Sequence, residues 1–72
     1  MTRDEFLVEM QDVLQRDEDL TFDMPLSEIR EWDSLSVMST MAFLEKKFSV
    51  HTTFDDYKEM KTVEDIAAKA GL

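Results

Sequence analysis

The chain has 72 residues, a formal net charge of −9 and 43% apolar residues. That length makes one domain with a modest core and leaves no room for an enzyme's cleft on top of its scaffold, while the apolar share is enough for a globular core and excludes wholesale disorder. The acidic balance repels nucleic acid and anionic membrane surfaces and favours basic protein partners; with no cysteine, a disulfide framework, a thiolate metal site and a nucleophilic thiol are excluded. No apolar signal core follows Met1-Thr2-Arg3-Asp4-Glu5 and no apolar run reaches membrane-spanning length, so a soluble, cytoplasmic monomer is expected, with no membrane insertion.

Thr2-Arg3-Asp4-Glu5 has capping-box spacing, and Phe6, Leu7, Met10, Val13 and Leu14 then share one face, predicting a first helix over roughly 3–16. Residues 17–33 lack sustained periodicity, and Pro25 prevents a continuous helix through their centre; Ser27 to Arg30 is expected to form one short turn. The segment nevertheless carries Leu20, Phe22, Leu26, Ile29 and Trp32, too many large apolar groups for a solvated linker, so it is expected to lie along the core. Trp32 reads as a packing anchor that decides where the next residues emerge, ahead of a direct substrate contact. Asp17, Asp19, Thr21 and Glu28 have the spacing of calcium-loop ligands, but Phe22 stands where such a loop needs glycine for its sharp turn, and no metal site is expected.

A second helix is predicted over about 34–48, with Val37, Met41, Leu44 and Phe48 as its apolar stripe. Its outward arc is then expected to carry Ser36, Ser39, Thr40, Phe43 and Lys46, with Leu35 and Met38 at the margins. Phe43 is out of place there: it either packs under the following segment or meets a partner, and burial is the expectation. Ser49 to Thr53 breaks the pattern, and His51, the single histidine, has no second ligand or triad partner. Thr53 caps a short third helix running to about Glu59; Thr62-Val63-Glu64-Asp65 is a further capping box, followed by the stripe Val63, Ile66, Ala67, Ala70 and a terminating Gly71. The expected fold is all-α: a four-helix bundle of three longer helices and one short third helix, with a long loop between helices one and two. Met10, Met38, Met41 and Met60 are placed at its core or margin, as gap-fillers or as pliant packing for a bundle that opens transiently.

Chemistry concentrates at Glu31-Trp32-Asp33-Ser34-Leu35-Ser36, where an acidic segment runs into a serine at a helix start. Asp33 or Ser34 can cap. A serine there lies beside backbone N–H groups without intrahelical partners, at the positive end of the helix, which suits a bound or attached phosphate as well as a plain cap. No histidine or lysine base adjoins Ser34, so it is not a self-sufficient nucleophile and the chain is not expected to be an enzyme.

With Met24-Pro25-Leu26-Ser27-Glu28-Ile29 before it, Leu44-Glu45-Lys46-Lys47-Phe48 after it and Lys61-Thr62-Val63-Glu64-Asp65-Ile66 near the end, Trp32-Asp33-Ser34-Leu35 makes an ordered set. From Phe6 to Ala70 the chain resembles the acyl carrier protein family, including its peptidyl carrier relatives. The resemblance implies that residues 1–72 are a single carrier domain and that Ser34, flanked by Asp33 and Leu35, carries phosphopantetheine delivered from coenzyme A by a phosphopantetheinyl transferase. It further implies that acyl groups travel on that arm as thioesters between acyl-loading and acyl-processing enzymes of fatty-acid, polyketide or related biosynthesis. The alternatives are a peptidyl or aminoacyl carrier and, from a different class, a small acidic interaction module without a prosthetic group.

Fatty-acid carriers of that family typically show acids just after the serine and along the outer face of the second helix. Here Ser36 and Ser39 stand in those places, followed by Lys46, which makes a specialised standalone carrier at least as good an expectation. Residues 17–33 hold Asp17, Glu18, Asp19, Asp23, Glu28, Glu31 and Asp33 against Arg30 alone, whereas 34–48 hold only Glu45 beside Lys46 and Lys47. Docking by complementary charge therefore has to use the loop, with Glu28 and Glu31 as candidate contacts and Met38 as an apolar one.

Overall fold

The first helix begins where its capping box lies: the Thr2 hydroxyl accepts the Glu5 N–H (3.1 Å) and the Glu5 carboxylate accepts the Thr2 N–H (2.8 Å). In the computed structural model, which describes residues 1–72, α1 spans Arg3–Val13 and stops short of the expected residue 16. Gln15 turns left-handed (φ 54°), and the N–H groups of Gln15 and Arg16 reach back to the carbonyls of Asp12 (3.0 Å) and Gln11 (2.9 Å). This is a Schellman closure with glutamine where glycine is usual.

The chain from Leu14 to Asp33 holds only a short 3₁₀ turn, at Leu26–Glu28 where Ser27–Arg30 was expected. Leu20, Leu26 and Ile29 are buried, and Phe22, Met24 and Trp32 pack against the core, so the loop does lie along it. Backbone bonds fasten it to the start of the last helix: the Leu26 N–H donates to the Lys61 carbonyl (2.8 Å), the Val63 N–H to Met24 (3.1 Å) and the Glu64 N–H to Phe22 (2.9 Å). Sequence reasoning missed this attachment, because no local signal pairs a loop with a segment so far along the chain.

Helix α2 spans Ser34–Phe48 as expected, α3 Phe54–Lys58 and α4 Val63–Ala70. The Asp56 carboxylate accepts the Thr53 N–H at the start of α3 (2.7 Å), and the Asp65 carboxylate accepts the N–H groups of Lys61 (2.7 Å) and Thr62 (3.1 Å) at the start of α4. Gly71, at φ 90°, closes α4 from the left-handed region. The architecture is the all-α four-helix arrangement, with α1 and α2 running in opposite senses. No helix is long and apolar enough to cross a membrane.

One expectation fails on α2. Ser36 and Thr40, expected outside, face the core, whereas Leu35 (71% exposed) and Met38 (54%) face solvent; Phe43 is buried, and Ser39 and Lys46 are outside, as expected. The stripe itself faces the core, with Val37 and Leu44 buried and Met41 and Phe48 packed against it, and the inward face is wider than the stripe because its hydroxyls are satisfied locally. Ser36 Oγ accepts the Asp33 N–H (2.8 Å) and donates to the Asp33 carbonyl (3.0 Å), and Thr40 Oγ1 donates to the Ser36 carbonyl (2.8 Å). Burial then leaves no polar group unpaired. Phe43 gains the space so created: its ring lies 6.1 Å from Phe6 and 5.8 Å from Phe48. Phe6, fully buried, also lies 6.2 Å from Phe48 and 6.4 Å from Phe22, so α1, the loop and α2 converge on one ring. Of the methionines, Met10 is core, Met41 and Met60 are half-buried, and Met38 is on the surface.

Two sets of variants test this account. Phe6→Ala should destabilise the fold by about 3–5 kcal/mol in denaturant unfolding, since truncation leaves a cavity among three rings. Thr40→Val should change stability by about 1 kcal/mol or less, because the Ser36 carbonyl keeps its helical N–H partner. A larger loss at Thr40 than at Phe6 would overturn the assignment of the inward face.

Acid should unfold the protein in a defined direction. Glu5 is held below the usual carboxylate range by the Thr2 N–H, Glu31 by Arg16, Asp56 by the Thr53 N–H and Asp65 by the N–H groups of Lys61 and Thr62. A lowered folded value means that this stabilisation is complete above the ordinary carboxylate range and is lost as pH falls through the depressed values. Melting temperature should therefore hold near neutrality and fall progressively below about pH 4. A melting temperature that climbs through that interval would contradict these contacts.

Candidate functional site

At the start of α2 the cap is Asp33: its backbone is extended (φ −145°, ψ −175°) and its carboxylate accepts the Ser36 N–H (2.9 Å), while Ser36 Oγ accepts the Asp33 N–H (2.8 Å). Sequence alone left the cap open between Asp33 and Ser34, and the geometry assigns it to Asp33. Ser34 is then the first helical residue, exposed, with its hydroxyl outside the capping box. The Ser36 and Val37 N–H groups are both taken by Asp33, the latter at 2.9 Å through its carbonyl, while those of Ser34 and Leu35 have no intrahelical carbonyl. An anion on the Ser34 oxygen therefore meets free N–H groups and the positive end of the helix dipole.

A surface groove of about 280 Å³ adjoins this serine, lined by Trp32, Asp33, Ser34, Val37, Phe54, Tyr57 and Lys58. Trp32 packs as expected, its ring 6.1 Å from Tyr57, and it also lines the groove. Nothing here activates a hydroxyl. Burial pushes the Tyr57 phenol above its ordinary value, its oxygen lies 2.9 Å from the buried Thr52 hydroxyl, and Lys58 pairs with Asp55 (3.3 Å). His51 is exposed, and no group of three His, Cys, Asp or Glu is placed to hold a metal ion.

The structure gathers Asp33, Ser34 and Leu35 at one helix end and sets Met38 one turn along on the same side. Glu28 is exposed at the end of the 3₁₀ turn, and Glu31 is half-buried against Arg16, with 2.8 Å between carboxylate and guanidinium. On the other flank of Asp33, a depression of about 210 Å³ is lined by Val13, Leu14, Gln15, Glu31, Asp33, Leu35, Ser36 and Ser39. Sequence reasoning missed Phe54, Tyr57 and Lys58 as groove residues, and Arg16 as the partner of Glu31. Arg16 had one local signal, being the only base between Arg3 and Arg30.

Comparison with known proteins agrees with this geometry. Residues 4–69 match the family model described as a phosphopantetheine attachment site. Among solved structures, the solution structure of holo acyl carrier protein from Geobacter metallireducens is similar, with a TM-score of 0.75 and 26% identity over 94% of this chain and 79% of that one. No curated protein matches the chain. The family match leaves no place for a prosthetic-group-free interaction module. A free, unactivated serine at a helix start on this bundle, matched over nearly its whole length, means that the chain belongs to the phosphopantetheine-attachment family of acyl carrier proteins, carriers with a covalent phosphopantetheine arm and not enzymes.

Proposed function

We propose that Ser34 is the attachment residue and that the protein is a cytoplasmic acyl carrier serving a specialised biosynthetic pathway. One observation carries the assignment: Ser34 is an exposed first-turn residue whose hydroxyl is left free because Asp33 does the capping. A phosphopantetheinyl transferase supplies the base that takes the hydroxyl proton; the Ser34 oxygen bonds to the phosphorus next to pantetheine in coenzyme A, and the adenosine bisphosphate leaves. Asp33 holds the start of α2 rigid, and the free N–H groups of Ser34 and Leu35 favour the phosphodiester that results. The arm, once attached, supplies the thiol on which acyl groups travel as thioesters. Trp32, Val37, Phe54 and Tyr57 give the root of the arm an apolar wall on one side.

Partners meet this chain on two surfaces. The outer side of α2 has Leu35, Met38, Ser39 and Ala42 exposed, with Glu45 as its single acid, and the loop adds the exposed Glu28. Contact near Ser34 is then mostly apolar, through Leu35 and Met38, with Glu28 contributing to approach by charge. That poverty of acids on α2 is what supports a specialised pathway over general fatty-acid synthesis.

Intact-mass spectrometry after incubation with coenzyme A and a broad-specificity transferase tests the assignment. Wild type should gain one phosphopantetheine, and Ser34→Ala should gain none while keeping its far-ultraviolet helical signal. A Ser34→Ala protein that still takes up the arm would sink the assignment. Separately, Asp33→Asn should keep the stability of the wild type, because asparagine caps equally well, whereas Asp33→Ala should lose about 1 kcal/mol in denaturant unfolding.

A further inference from the structure

Five ion pairs link charged side chains in this protein, and four of them are more exposed than the fifth. The exception is Arg16–Glu31, where the guanidinium is 9% exposed and the carboxylate 25%. Arg16 also reaches the Met24 sulfur with its second terminal nitrogen (4.0 Å), and its Nε is buried without a partner. Stability is a poor reason for such an arrangement. A withdrawn ion pair loses hydration that its attraction only partly offsets, and an apolar side chain would fill the same space without an unpaired nitrogen.

Its location gives a better reason. Arg16 is the residue that completes the Schellman closure of α1, with its backbone N–H held by the Gln11 carbonyl (2.9 Å), so it moves with that helix. Glu31 stands at the other end of the loop, just before the cap Asp33 and Ser34. The pair thus closes residues 16–31 into an Ω-type loop and ties its last turn to α1. From the opposite side Trp32 packs on Tyr57, at 6.1 Å between rings, beside α3's wall of the groove. The stretch that delivers Ser34 is therefore pinned from two helices.

We propose that Arg16 and Glu31 are a positioning pair, a clip that sets where Ser34 stands relative to the bundle for the enzymes that act on it. The inference rests on Ser34 as the modified residue. It gives Glu31 a different part from Glu28: Glu28 is exposed and free to meet a basic partner, while Glu31 is engaged within the protein. Reaction at Ser34 requires its oxygen in line with a phosphorus held by another protein, and such alignment is sensitive to displacement.

The test compares loading kinetics with coenzyme A and a transferase for wild type, Glu31→Gln, Arg16→Lys, Glu28→Gln and the exchange Arg16→Glu with Glu31→Arg. Each is assayed at low and high salt, with the emission of Trp32, the single tryptophan, recorded on the same samples. Glu31→Gln should lower kcat/KM about tenfold, since a misplacement near 1 Å is enough to cost on the order of a hundredfold in a positioned reaction. That loss should be the same at both salt concentrations, because a withdrawn pair is little screened, and the Trp32 emission should shift with it. Glu28→Gln should show a smaller loss that disappears at high salt, with emission unchanged. Arg16→Lys, which keeps the charge but not the fork, should fall between wild type and Glu31→Gln, and supplies the measurement if Glu31→Gln does not fold. Recovery of both rate and emission in the exchanged protein would support the clip.

Loading of Glu31→Gln at the wild-type rate would overturn the proposal, even with a shifted emission, since the pair would then only stabilise. A loss abolished by salt, and undiminished in the exchanged protein, would overturn it in favour of docking by Glu31. Wild type that takes no arm would instead sink the assignment of Ser34. The clip, whose part is to place that residue for its enzymes, would fall with it, whereas a wild type that loads beside a Glu31→Gln that loads equally fast overturns the clip alone.

Discussion

The reciprocal hydrogen bonds between Asp33 and Ser36 determine more of this molecule than any other contact. They start α2 at Ser34, and because Ser36 spends its hydroxyl on Asp33 it can turn inward without an unpaired group. With Ser36 inward, Thr40 and Phe43 follow on the same face at helical spacing, and Leu35 and Met38 come out. The residue after Ser34 is thus a largely exposed leucine, and the serine itself stands clear of the box. The motif that marks the helix start in the sequence also lets Ser36 join the inward face beside Val37.

What holds that start in place is a loop that is irregular in backbone yet packed like an element of secondary structure. Its apolar residues enter the core, so lengthening the connection does not add a free segment. Its amide groups are satisfied by the chain around Lys61–Glu64 in place of a ladder or helix of its own. Loop entropy rises only slowly with length, and three such attachments shorten the freely moving part further. The two ends of this loop meet at Arg16 and Glu31, which is why a long connection can still deliver a residue to a defined place.

Electrostatics follows the same division. Acidic side chains at Glu5, Asp56 and Asp65 close helix starts, where the dipole and free N–H groups favour them. Lys46, Lys47 and Lys69 lie in the last turns of α2 and α4, the complementary ends. The net negative charge is therefore not only a solubilising coat: part of it is bound into the fold.

Local chemistry is legible in the residues. The capping boxes at Thr2 and Thr62, the cap at Thr53 and the helix start at Asp33-Ser34 follow from residue types at fixed spacing, because a cap is made by neighbours in the chain, while the carrier family is legible as a resemblance over the whole chain. Other features needed the tertiary structure. The end of α1 came early because Gln15 took a conformation that its side chain does not favour. The inward face of α2 was misread because a hydroxyl's cost of burial depends on whether it finds a partner, which composition does not reveal. Arg16 and Glu31 are adjacent only because the loop folds back between them, and the groove beside Ser34 exists only where α3 is laid against α2. Contacts between segments distant in sequence depend on how helices pack, and no periodicity within one segment encodes them.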